Sequence, residues 1–223
     1  MALLTNKQNA YPIVFIVLGV IILLTTFFLT EDTVLSLVSS LFGVVCVVLC
    51  AQGNIIHFFF GFIQIGTHLW ICYTERLYSS IFIDVFYLVT QIIGLFLWYK
   101  HLRRGESESE SSVLIVTQKM APKVLAVLAV SVLVLSFAVG AFLRYFTDDS
   151  QPYLDSFCNV PAFVAQILMI KMYREQYYFW LFLDVCFVIL WLIAGNYCMM
   201  VQYIFWTINC FYGYFQWTKL SAE

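Results

Sequence analysis

Two carboxylates, Asp84 and Asp184, stand inside long apolar runs, where a charged side chain costs roughly 2.5–3.5 kcal/mol or more. Five amides accompany them: Gln64, Gln91, Gln166, Gln202 and Asn209. Such groups normally face a bundle interior or a water-filled cavity, and they mark substrate or ion paths. Amides can also serve as glue between helices, at about 0.6–2 kcal/mol per bond. Asp184 ends a line, Tyr177, Trp180, Asp184, whose i, i+3, i+7 spacing puts all three on one helix face. An aromatic stripe alone is ordinary packing; the carboxylate at its end turns it into a ligand site. Rings and a carboxylate suit a planar, cationic, heteroaromatic ligand through stacking and cation–π attraction. No Lys or Arg lies within the span of Asp184, so either such a ligand supplies the compensating charge or the carboxyl group stays protonated in the empty site. Asp84 lies nearer one end of its span, within expected reach of water.

Other chemistries find little support. The seven cysteines all lie in or beside apolar runs, and they read as small buried hydrophobes instead of a disulfide framework. His57, His68 and His101 are scattered, without zinc-ligand spacing, so neither metal nor cofactor is expected. No H-E-x-x-H, G-x-S-x-G or Gly-rich phosphate loop is present. Asp84 and Asp184 could pair as in an aspartyl protease, but they lack its flanking motif. A receptor or scaffold would not need a polar, repeat-symmetric core. A small transporter is therefore expected and an enzyme is not; an intramembrane enzyme and a receptor or scaffold are the alternatives from other classes.

The elements that must position these residues are membrane helices. The chain is 63% hydrophobic and 11% charged, against about 25% charged in soluble domains. Eight runs reach the length that a bilayer core requires: about 11–29, 33–52, 55–73, 77–99, 124–143, 154–173, 177–195 and 198–217. The first run is longer than a signal-peptide core and no A-x-A-like site follows it, so it reads as a retained span. A cytoplasmic N-terminus puts nine of the eleven Lys and Arg residues inside: Lys7, Lys100, Arg103, Arg104, Lys119, Lys123, Lys171, Arg174 and Lys219. The opposite side carries Glu31, Asp32, Glu75, Asp148 and Asp149. The positive-inside rule then places both termini in the cytoplasm. A net charge of −2 gives no reason to expect nucleic acid. The polar stretch with GESESESS reads as a flexible linker.

The two halves resemble each other. At an offset of 120, HFFFGFIQ (57–64) lies over YYFWLFLD (177–184), which sets Gln64 opposite Asp184. At an offset of 119, Gly94-x-x-x-Trp98-x-Lys100 lies over Gly213-x-x-x-Trp217-x-Lys219. Two three-helix units joined by one connecting span would be parallel, a known transporter plan with its site near the midplane. The expected division is 1–32 for the cytoplasmic end and a peripheral first span, and 33–99 for the first repeat. Residues 100–153 form the loop and linker helix, and 154–223 the second repeat and tail.

The stretch DSFCNVPAFVAQILMIKMYREQYYFWLFLDV (155–185), with TINCFYGYFQW (207–217) and GNIIHFFFGFIQ (53–64), resembles the PnuC family of vitamin-precursor transporters. The resemblance covers about residues 33–220. It implies a three-one-three arrangement similar to the SWEET sugar transporters, preceded by an extra helix. It also implies uptake of nicotinamide riboside by facilitated diffusion, in a homotrimer of the bacterial inner membrane, with a cytoplasmic kinase trapping the substrate. Carried over by position, the site comprises Tyr177, Trp180, Asp184, Asn209 and Tyr212, with Gln64 and Gln91 from the first repeat. Two departures stand out: the first Trp of the family's W-x-x-W is Tyr177 here, and its following Asn is Asp184. Thiamine, riboflavin or a deoxynucleoside are the alternative substrates that altered motifs imply.

Overall fold

The computed structural model describes residues 11–106 and 117–220, apart from the side chains of 101–106. Most of the GESESESS run lies outside the described residues. Eight α-helices follow one another: α1 (Tyr11–Thr30), α2 (Val34–Ala51), α3 (His57–Thr74), α4 (Tyr78–Glu106), α5 (Pro122–Phe146), α6 (Pro152–Ile170), α7 (Gln176–Ala194) and α8 (Tyr197–Lys219). Lipid offers the backbone no hydrogen-bond partners, so each apolar run closes its own bonds as a helix. The Thr33 hydroxyl caps α2 by accepting from the Ser36 amide at 3.1 Å. Asn196 caps α8 in the same way, accepting from Met199. Pro122 and Pro152 open α5 and α6, where a missing N–H does no harm. By length and composition, six of the helices can cross a membrane; α3 and α8 fall short. Their apolar character is diluted by His57, Gln64 and His68, and by Gln202 and Asn209, all of which are buried inside the bundle.

Packing is reciprocal. α2 packs on α3 and on α8, while α6 packs on α7 and on α4; α3–α4 and α7–α8 form the two remaining contacts of this kind. The first helix of each half thus meets the last helix of the other. α1 leans on α2 and α8, burying Phe15 and Leu23 against Val44, Val48 and Phe205. α5 packs on α6. Both α1 and α5 leave most of their apolar side chains exposed to the surround.

The turns repeat as well. The α2–α3 turn has a left-handed residue at Gly53 (φ 70°), and the α6–α7 turn has one at Met172 (φ 62°). The α3–α4 turn uses Arg76 (φ 56°) and the α7–α8 turn Gly195 (φ 74°). Each couple is separated by 119 positions. Gly takes this conformation freely, while Met and Arg carry a penalty of roughly 1 kcal/mol. The turns α1–α2, α3–α4 and α5–α6 hold Glu31, Asp32, Glu75, Asp148 and Asp149 and define an acidic face of the bundle. There the Ser79 amide of α4 donates to Asp155 of α6, and the Cys198 amide of α8 donates to Asp32 before α2, each at 2.8 Å. A carboxylate at a helix N-terminus is favourably placed, and Ser79 and Cys198 are again 119 apart. On the opposite, basic face, Gln118 bridges the α6–α7 turn through backbone bonds to Met172 and Arg174.

Candidate functional site

One cavity of ≈ 110 Å³ lies between the halves, and it gathers six of the seven expected site residues: Tyr177, Trp180, Asp184, Asn209, Gln64 and Gln91. Tyr212 is not among the lining residues. It lies half-buried, stacks on Tyr11 of α1 with ring centroids 3.8 Å apart, and accepts from Gln216 Nε2 at 2.7 Å. Asn209 and Tyr212 are three apart, but the first helix covers the side of α8 that Tyr212 takes. Two other expectations change. Asp84 is 2% exposed and is held by His68 Nδ1 at 2.8 Å, so water does not reach it. Trp98, whose place beside Lys100 at the end of its run predicts an interfacial ring, is fully buried, packed against His57, Phe58 and Trp217.

The cavity also takes residues that spacing alone did not single out: His57, Gln176, Tyr87 and Trp206. Seven couples of lining residues share one separation of 119. They are Val47 with Gln166 and Cys50 with Met169 on α2 and α6; His57 with Gln176, Gly61 with Trp180 and Ile65 with Asp184 on α3 and α7; and Tyr87 with Trp206 and Gln91 with Cys210 on α4 and α8. The offset of 120 expected for 57–64 is therefore one too many. Ile65, not Gln64, stands in register with Asp184. This single offset is the signal that would have found His57 and Gln176.

Hydrogen bonds fix what each group can offer. His57 Nδ1 donates to the Asn54 carbonyl at 2.8 Å, which leaves Nε2 as a bare acceptor. Trp180 Nε1 donates to Gln176 Oε1 at 3.0 Å, so the free Gln176 Nε2 is a donor. Asn209 Nδ2 donates to the Val47 carbonyl at 3.0 Å. Cys210 Sγ donates to Asp184 Oδ2 at 3.3 Å. Among the residues lining the cavity, the buried atoms left without a protein partner are acceptors at His57 Nε2, Gln91 Oε1, Asp184 Oδ1 and Asn209 Oδ1, and donors at Gln176 Nε2 and Trp206 Nε1; the Tyr177 hydroxyl can act either way. Buried polar atoms are nearly always paired, and each one unpaired costs about 1–3 kcal/mol. So many around one cavity describe a ligand site whose guest brings more donors than acceptors. Asp184 is 1% exposed, and no Lys or Arg is among the described residues lining the cavity.

Glycines let the walls close in. A methyl group on Gly61 would stand 2.3 Å from Gln91 Nε2, and one on Gly213 would stand 2.4 Å from the Tyr177 ring. Buried layers flank the cavity at both ends. Toward the basic face, Trp98 meets Phe58 edge-on at 5.4 Å, Trp217 meets Tyr177 edge-on at 5.6 Å, and the two indoles lie 6.2 Å apart. Toward the acidic face lie the His68–Asp84 pair and a stacked pair, Phe187 on Tyr203, at 4.4 Å.

Residues 33–219 match the family described as Nicotinamide mononucleotide transporter. A nicotinamide riboside transporter PnuC of Neisseria mucosa is 29% identical over 205 residues, covering 87% of this chain and 75% of the relative. The protein of the same name from Haemophilus influenzae is 28% identical over 211 residues, covering 94% and 90%. The crystal structure of the vitamin B3 transporter PnuC superposes with a TM-score of 0.79 at 25% identity, covering 95% of this chain and 92% of that one.

Proposed function

Because the chain belongs to the nicotinamide mononucleotide transporter family, a family of multi-pass membrane transporters and not of enzymes, we propose that it carries nicotinamide riboside. The observation that carries this reading is the cavity's balance of charge and hydrogen bonding. Asp184 faces a space with rings at Trp180, Trp206, Tyr177 and Tyr87 and with no cationic side chain. The riboside brings a fixed positive ring for the carboxylate and the indoles. Its hydroxyls and carboxamide supply the donors that His57 Nε2, Gln91 Oε1 and Asn209 Oδ1 would accept. A phosphate would add negative charge beside Asp184 without a partner, which argues against the mononucleotide. Thiamine, which shares a fixed cationic ring, is the runner-up; riboflavin and neutral nucleosides give Asp184 no counter-charge.

Transport is by facilitated diffusion, with the acidic face outside, both termini in the cytoplasm and the bacterial inner membrane as its site. A cytoplasmic kinase then traps the product, and the assembly is a homotrimer. Two parallel three-helix units, α2–α4 and α6–α8, joined by α5, are supported by the common separation of 119 and the reciprocal packing of α2 on α8 and α6 on α4. Binding of the riboside, the mononucleotide, thiamine and riboflavin to purified protein, with uptake into proteoliposomes, tests the reading. The riboside should bind at least tenfold more tightly than the mononucleotide and cross without ATP or a sodium gradient. Tighter binding of the mononucleotide, or uphill accumulation of unmodified substrate, would overturn it.

A further inference from the structure

The layer on the acidic side of the cavity is built from four residues, each three positions from a lining residue of its own helix. His68 follows Ile65 on α3, Asp84 precedes Tyr87 on α4, Phe187 follows Asp184 on α7, and Tyr203 precedes Trp206 on α8. Three residues are close to one helical turn, about 5 Å. The four therefore lie at one depth, directly over the cavity. All are nearly inaccessible, at 3%, 2%, 4% and 3% exposure. His68 and Phe187 are 119 apart, and so are Asp84 and Tyr203. The two halves thus place different chemistry at one position: a hydrogen-bonded His–Asp pair in the first, stacked rings in the second.

Among these four residues, contacts within each half are tight and contacts between the halves are loose. His68 Nδ1 lies 2.8 Å from Asp84 Oδ2, and Phe187 stacks on Tyr203 at 4.4 Å. Across the halves, Tyr203 Oη reaches His68 Nε2 only at 3.5 Å, and the His68 and Phe187 rings stand 6.4 Å apart. We propose that these four residues are the gate closing the cavity toward the acidic face. The His68–Asp84 bond holds α3 to α4 while that gate is shut. The gate rests on the transporter reading, but not on which substrate is carried. The layer on the basic side contains no carboxylate, so the two exits differ. Opening the acidic side brings water to a buried carboxylate and imidazole, and that hydration offsets the parting of the rings and of the His68–Asp84 bond.

Cys72 offers a native probe. It is fully buried, lies one turn beyond His68 toward the acidic face, and has its sulfur 3.5 Å from His68 Nδ1. In a variant that keeps Cys72 as its one cysteine, a membrane-impermeant methanethiosulfonate is supplied to each side of the membrane in turn. The side that labels an engineered Glu31→Cys identifies the acidic face. Labelling of Cys72 should come from that side alone. Asp84→Ala should speed it about 10- to 100-fold, the loss of a hydrogen bond to a charged group, while riboside affinity stays within about threefold, below one ordinary bond's worth. Tyr203→Phe removes only the hydroxyl near His68, and it should speed labelling about threefold, as for a weak neutral bond; it serves if Asp84→Ala does not fold. A variant with Cys158 as its one cysteine, buried in α6, should stay unlabelled throughout. The gate is refuted by Asp84→Ala labelling at the wild-type rate, by equal acceleration at Cys158, or by labelling from the basic side. Loss of riboside binding with these labelling rates intact would count against the substrate reading alone.

Discussion

The two halves of the cavity share a backbone plan and differ in what they project from it. At one position the first half has Gly61 and the second Trp180; at the next the first has Ile65 and the second Asp184. The second half supplies the carboxylate and most of the rings. The first supplies space and an imidazole, and both supply amides. Under the proposed repeat, with its common offset of 119, the substitutions make one half the binding half and the other its wall. In the layer on the acidic side the carboxylate belongs to the first half instead, and the rings again to the second.

The largest expected effect on affinity and stability together comes from the glycines that let the walls close. Gly213→Ala places a methyl against three Tyr177 atoms at 2.4–2.5 Å, and overpacking of this kind costs about 1–3 kcal/mol. Tyr177 must move, so substrate affinity should fall with stability. The matching Gly94→Ala meets only the edge of Phe58, at 2.9 Å, and should cost less in melting temperature and nothing in affinity. Equal losses in both would show that the halves are not specialised in this way.

Next in size is Asp184→Asn. The amide is nearly isosteric, so a loss of riboside affinity reports charge; about 1.5–3 kcal/mol, or 10- to 100-fold, is expected for a bond to a charged group. Ile65→Asn, at the matching position, should change affinity by less. A similar pattern separates two indoles. Trp180→Ala should weaken binding by roughly 0.5–2 kcal/mol through weaker stacking and cation–π attraction in a protein that still folds. Trp98→Ala empties a fully buried site, so it should lower stability by about 3–5 kcal/mol instead. Thermal melts beside binding isotherms distinguish the two. Smallest is Arg76→Gly, which relieves a left-handed residue worth about 1 kcal/mol and forfeits an exposed ion pair to Asp148 (3.3 Å) worth at most about that much. The melting temperature should scarcely move.

Much of this is legible from residue types and spacing. Apolar runs of the right length give eight helices, and the Tyr177, Trp180, Asp184 line marks one wall of the cavity. Other parts depend on contacts that no local pattern carries. His68 and Asp84 are sixteen positions apart and meet only because α3 and α4 form a hairpin. Tyr87 and Trp206 look like any lipid-facing ring until the helices are assembled. Gln176 and His57 begin their helices and read as flanking polar residues, yet each is 1% exposed. Trp98 looks interfacial because Lys100 follows it, but His57, Phe58 and Trp217 enclose it once the helices are assembled. Tyr212 has the spacing of a site residue but stacks on Tyr11 of α1, a contact that no feature of α8 could reveal.

The role proposed for Asp184 is to read the positive charge of the substrate, and one comparison of ligands isolates that charge. Reduced nicotinamide riboside keeps the ribose and the carboxamide but has an uncharged ring. Calorimetric titration of the wild-type protein with both forms should show the oxidised riboside binding at least 10-fold more tightly, as a bond to a charged group warrants. In Asp184→Asn that preference should shrink to near unity. Equal affinity of the wild type for the two forms, or a preference that survives in Asp184→Asn, would contradict this role for the carboxylate.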